Sequence, residues 1–204
     1  MAPEIVTEGS GWHEQVADRA ECSVGYAGTG RDRRSAVVEL GTRVAAAEAA
    51  FGLRGVSVRH RRLSVHDQWR GNRVVGCRAT ENVVLRLDDV TTLEEVLGAL
   101  VRSEPAELNG PTWLLGDTTA ARRAAQQRAV ADARDRAEGY AAALGGRLGA
   151  LLRLSEAPEH GAPAAAFARM AHAEMGAPDV RELGLEPEPV RVTVRCTTTW
   201  ELVV

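Results

Sequence analysis

The sequence predicts an α+β fold: a mixed or antiparallel sheet with three main helices, in the order β-α-β-β-α-β-α-β-β. Three observations predict it. Several segments alternate apolar and polar residues with period two, the pattern of a half-buried strand. Three others repeat apolar residues at three- and four-residue steps, the stripe of an amphipathic helix. Glycine, proline and capping residues fall between these segments, where the chain must turn.

A short strand is expected at Val6–Gly9, followed by a longer one over 16–26. In the longer segment Val16, Ala20, Cys22, Val24 and Tyr26 share one parity, and Gly28 and Gly30 end it. Asp32 is suited to cap a helix whose apolar face is Ala36, Val37, Leu40, Val44, Ala47 and Phe51, stopped by Gly52. Strand character returns at Val56 and Val58 and again at Leu63, Val65 and Trp69, with opposite parity. A bulge near Arg59–Arg62 reconciles the two sets. Gly71-Asn72 reads as a hairpin turn, and Val75, Cys77, Ala79, Val83, Leu85 and Leu87 share one face of the return strand.

Thr92-Leu93-Glu94-Glu95 has the form of a capping box ahead of a helix carrying Leu93, Val96, Leu97, Leu100 and Val101. A strand follows at about 108–115, weakened at its start by Gly110-Pro111. The longest helix runs over about 118–144, with Asp117 at its cap and Val130, Ala133, Ala137, Tyr140, Ala141 and Leu144 as its stripe. Gly145-Gly146 ends it, and Leu148, Ala150, Leu152 and Leu154 mark another strand. Residues 157–188 form a long excursion rich in proline, glycine and alanine, with a short helix expected at Ala164–Glu174. Alternation from Val190 to Val204 makes a long final strand. The organisation expected is one domain over 1–204, with room for two lobes.

Composition bounds the function. The 204 residues are 45% hydrophobic and 26% charged, as in an ordinary globular protein. The net charge is −3, so no dominant attraction to nucleic acid or to an anionic membrane is expected. All 25 basic side chains other than histidine are arginine. No apolar run is long enough to insert into a membrane. Met1-Ala2-Pro3-Glu4 has neither the basic nor the apolar region of a secretory leader, which favours a cytoplasmic location.

Candidate chemistry is sparse. Cys22, Cys77 and Cys196 fall on apolar parities of three strands, without paired-cysteine spacing, and read as core residues. Of the five histidines, none forms an i, i+4 pair on a helix, so no metal site is expected. No phosphate-binding loop, nucleophile elbow or dinucleotide fingerprint occurs, so no cofactor and no catalytic set are assigned. Arg59-His60-Arg61-Arg62 is the densest basic run and reads first as a solvated strand edge. Its alternative is contact with an anion or an acidic partner, through Arg59, Arg61 and Arg62. Trp200 is expected in the core, whereas Trp12 and Trp69 are candidate interface or ligand contacts.

Several segments together resemble the SIMPL (DUF541) family. Val6-Thr7-Glu8-Gly9-Ser10-Gly11 looks like its opening strand, and Ala17-Asp18-Arg19-Ala20-Glu21-Cys22-Ser23-Val24 its first long strand, with Ala17 where the family usually has proline. Gly76-Cys77-Arg78-Ala79-Thr80-Glu81-Asn82-Val83-Val84 resembles a segment that usually begins Gly-Tyr; here the tyrosine is Cys77. The most specific match is the alanine-rich segment Ala129–Glu138, continuing through Leu144-Gly145-Gly146-Arg147-Leu148-Gly149 to Leu154-Ser155-Glu156. The resemblance implies the fold. It implies a non-enzymatic protein that forms homo-oligomers, in a family with envelope and stress-associated members, and carries over no catalytic residue. Three functional expectations stand: an oligomeric scaffold that self-associates through strand edges and the 157–188 excursion and engages an unidentified protein partner; a binding module for a small molecule or peptide between the helix layer and that excursion, near Phe167 and Met170; or an enzyme of unrecognised type.

Overall fold

A computed structural model of the chain describes residues 3–156 and 183–204. The α+β class is as expected, and every strand pairing is antiparallel. The chain divides into two compact units, each with its own sheet.

The first unit contains β1 (Glu4–Val16), α4 (Thr119–Ala143), β6 (Arg147–Glu156) and β7 (Pro189–Val203), with sheet order β1-β7-β6. β1 is much longer than the short strand expected at Val6–Gly9, and it takes Val16, which had been grouped with the next strand. The reason is visible in its buried positions. Ile5, Thr7, Gly9 and Gly11 face inward, while Val6, Trp12 and Val16 are exposed. Past Ile5 the apolar parity is inverted, so hydrophobic alternation does not reveal the strand's full length.

Helix α4 explains the inversion. Ala121, Ala125, Ala129, Ala133, Ala137 and Ala141 recur every fourth residue and are all fully buried. A stripe without side chains beyond Cβ brings the helix backbone close to the sheet. A Cβ on Gly9 would land on the Ala129 carbonyl oxygen, and one on Gly11 on the Ala125 carbonyl oxygen. The stripe expected from sequence was partly misplaced: Tyr140 and Leu144 are exposed, because the row of closest approach is the alanine row.

A buried polar chain crosses the same contact. The Trp200 indole N–H donates to Thr198 at 2.8 Å. The Thr198 and Thr7 hydroxyls lie 3.0 Å apart, and the Thr7 hydroxyl donates to the Ala133 carbonyl at 2.7 Å. Each buried hydroxyl is therefore satisfied, which removes the desolvation penalty of placing threonine in a core. Trp200 is buried, as its parity implied, against Ile5, Ala137, Ala141 and Leu202.

The second unit has sheet order β3-β4-β2-β5, from β2 (Arg19–Gly30), β3 (Val56–Arg70), β4 (Arg73–Leu87) and β5 (Glu107–Leu114). The expected 36-to-51 helix is interrupted after Ala45, giving α1 (Arg33–Ala45) and the single turn α2 (Glu48–Phe51). Asp32 caps α1 through the Ser35 amide at 2.8 Å, as the sequence suggested. The capping box expected at Thr92–Glu95 is absent. Asp89 instead accepts from the Thr91 amide at 2.9 Å and starts a 3₁₀ turn that leads into α3 (Leu93–Arg102).

Core residues from β2 and β4 meet Leu40 and Val44 of α1, Phe51 of α2 and Leu93, Val96, Leu97 and Leu100 of α3. Tyr26 is buried there, its hydroxyl 2.7 Å from that of Ser103. The expected bulge is present, with a register shift between Val58 and His60 that leaves Arg59 as the extra residue. Gly71, at φ +60°, supports the tight turn between β3 and β4. The helix expected at Ala164–Glu174 lies outside the described residues.

The close contact makes a stability prediction. Gly9→Ala should lower the unfolding free energy by about 2–3 kcal/mol, because the backbone of α4 must move. Gly139→Ala, on the open face of the same helix where an added Cβ meets nothing within 4 Å, should raise it by about 0.5–1 kcal/mol. Urea unfolding of the two variants followed by circular dichroism checks both signs.

Candidate functional site

The thiols are the first groups to test for chemistry, and their surroundings suppress it. All three are buried and free. Burial, with a smaller contribution from the Glu21 carboxylate, pushes Cys22 up to about 12. Cys77 is raised by burial and by donating its S–H to Asp67 at 3.3 Å, and Cys196 is raised mainly by burial. A raised thiol holds its proton and is a poor nucleophile. Among the described residues, no three histidine, cysteine or carboxylate side chains converge to hold a metal ion.

The basic run does not act as one patch. Arg61 is engaged by its own unit: its guanidinium donates to Glu48 at 2.9 Å, lies 3.7 Å from Glu81, and stands over the Phe51 ring at 5.1 Å. It ties β3 to α2. Arg59 is the bulge residue and Arg62 lies opposite Asn82; both are exposed. Trp69 pairs with Val74 at the far end of the same hairpin, roughly 23 Å along the strand from Arg62. Arg59, Arg62 and Trp69 are thus strung along one sheet edge rather than gathered in a pocket.

Trp12 belongs to the first unit, where its ring is engaged by two cations. Arg191 lies 4.3 Å and Arg128 5.7 Å from its centroid, and Arg128 also donates to the Trp12 carbonyl. Arg191 is fixed in turn by Glu14 at 2.8 Å. Cation–π contacts of this kind hold an indole in place at the surface. Phe167 and Met170 lie outside the described residues.

The sheet edges carry the informative contrast. β1 is an edge strand, and α4 covers its polar groups: the Ser10 amide donates to Asp132 at 2.9 Å, and Arg128 satisfies the Trp12 carbonyl. The Ser10 amide and then Arg136 hold the Asp132 carboxyl below the usual carboxylate range. β6, the opposite edge of that sheet, is different. It is bulged twice against β7, between Leu148 and Leu151 and again between Leu151 and Arg153. Leu151, Leu152 and Leu154 are exposed, Leu152 by 52%. Sequence alternation had marked Leu152 and Leu154 as a strand face, but the bulges turn leucines out on both parities.

One cavity in the first unit, about 390 Å³, is lined by Glu8, Gly9, Ser10, Arg136, Arg195, Cys196 and Thr197. Its polar lining comes from β1, β7 and α4. No sequence signal identified it, because the residues meet only across a strand pair and a helix.

No described helix is long and apolar enough to cross a membrane. The SIMPL family model, described as a protein of unknown function (DUF541), matches residues 5–200. No curated protein matches the chain.

The thiol environments give a direct check. At pH 8 the native chain should react with a disulfide reagent at Cys22 about three orders of magnitude more slowly than a free cysteine. In denaturant all three thiols should titrate at once. A fast native thiol would contradict the buried placement.

Proposed function

Because the chain belongs to the SIMPL family, whose function is unknown, we propose from its own surfaces that it is a non-enzymatic assembly subunit that self-associates through strand edges. The observation that carries this reading is β6. Edge strands ordinarily protect themselves with charge, bulges or a cover. β6 has bulges, yet it presents Leu151, Leu152 and Leu154 to solvent. Apolar side chains on a strand that pairs on one side only among the described residues suit association with a second copy, by hydrogen bonding and burial together. The buried, protonated thiols fit a role without turnover. In this reading the protein presents a repeated surface to a protein partner.

The cavity beside Gly9 and Cys196 supports a second reading, a module that binds a small molecule or peptide. Its volume falls within the usual range of ligand sites. Arg136, Arg195, Ser10 and Thr197 would supply its polar contacts. The two readings differ in what they require of β6, which a binding module leaves exposed.

Size-exclusion chromatography with light scattering over a hundredfold dilution distinguishes them. The assembly reading expects a mass that is a multiple of 21.8 kDa. Leu151→Asp with Leu154→Asp should weaken association by about two orders of magnitude, from the apolar burial lost. A wild-type chain that stays monomeric at micromolar concentration sinks this reading.

A further inference from the structure

We propose that the tip of the β3–β4 hairpin docks onto an anionic lipid surface. β2 ends at Gly30, opposite Cys77 and against Gly76, so Arg73–Val75 and the β3 residues beside them continue past their neighbour. Three residues of strand extend this tip by about 10 Å. That reach exceeds the headgroup layer on one side of a bilayer, roughly 5–8 Å.

The tip is apolar where it projects. Trp69 pairs with Val74, and the second register shift of the hairpin leaves Val75 as an extra residue beside them. All three are exposed, Trp69 by 63% and Val75 by 52%. Two constraints maintain this. Among the described residues no strand lies alongside, and α1 begins only at Arg33. The Gly71-Asn72 turn closes the end with Arg70 opposite Arg73.

Positive charge surrounds these apolar groups. Arg70 and Arg73 flank the turn. Arg31, Arg33 and Arg34 stand at the start of α1, which is tied to the hairpin by Arg33 bonding Asp67 at 3.3 Å. Five arginines against Asp32 and Asp67 leave a local charge of +3, on a chain whose net charge is −3. The whole-chain charge therefore hides a basic end.

The combination selects the partner. Tryptophan partitions to the boundary between headgroups and acyl chains, and arginine pairs with lipid phosphate. An acidic peptide would match the charge but requires a groove for its apolar side chains. Trp69, Val74 and Val75 stand on a projecting two-stranded tip, away from the cavity lined by Glu21, Val84 and Asn109. A bilayer accepts a projecting apolar tip without a groove. The docking is peripheral and adds no membrane-spanning segment.

The test is co-sedimentation of the full chain with vesicles of phosphatidylglycerol and phosphatidylcholine in equal parts, and with phosphatidylcholine alone. Binding should favour the anionic vesicles and fall with added salt. Arg70→Ala and Arg73→Ala should each weaken it about fivefold. Trp69→Ala should weaken it about tenfold. These residues are solvent-exposed, and matched thermal unfolding of each variant confirms that folding is intact. Brominated acyl chains should quench the wild-type tryptophan emission more than that of Trp69→Phe. No binding to anionic vesicles at low salt overturns the proposal, as does binding that the tip variants leave unchanged. Retention on poly-glutamate without vesicle binding overturns it in favour of an acidic peptide.

Discussion

The close approach of α4 to β1 is the constraint on which the first unit depends. Six alanines at four-residue spacing remove side-chain bulk from one line of the helix, and Gly9 and Gly11 remove it from the strand beneath. Neither change works alone. An alanine row over a strand of larger residues would hold the helix away, and glycines under a leucine row would leave voids. The short distance also lets Thr7 reach the Ala133 carbonyl, so a polar chain from Trp200 can end on a helix backbone. Packing and hydrogen bonding thus share one geometric condition.

That condition protects one sheet edge and leaves another open. Because α4 lies so near β1, Asp132 and Arg128 satisfy edge groups that would otherwise face water. β6 receives less of this cover. Arg122 pairs with Glu156 at the end of the strand, but the leucines before it remain exposed. In the second unit the outer edge, β3, is interrupted by the Arg59 bulge and carries charge along its length. Its hairpin exposes Val58 and Leu63 singly along that edge and gathers Trp69, Val74 and Val75 at the tip. Apolar side chains thus gather at the surface on β6, which α4 covers less, and at the hairpin tip beyond the end of β2.

The cysteines complete this picture. They occupy positions that a small apolar residue would fill, and burial keeps each thiol protonated. The only thiol with a charged hydrogen-bond partner, Cys77, donates its S–H to a carboxylate already engaged by Arg33. That arrangement stabilises the thiol form. A nucleophilic cysteine needs the reverse, a cation that favours thiolate.

The sequence by itself determined what depends on local periodicity and backbone chemistry. The α+β class, the Asp32 cap, the Arg59 bulge, the Gly71-Asn72 turn and the inward parity of Cys22, Cys196 and Trp200 all follow from spacing within a few residues. The motifs in their order also carried the family resemblance. Tertiary structure decided the rest. β1 was illegible in full because its buried face past Ile5 is threonine and glycine, chosen by a helix more than a hundred residues later. Trp12 and Trp69 look alike in sequence, yet Arg128 and Arg191 hold one ring while the other projects past the end of β2. Arg59, Arg61 and Arg62 are adjacent, but only Arg61 meets Glu48 and Phe51. Periodicity reports which side of an element a residue occupies; what covers that side is set by distant parts of the chain.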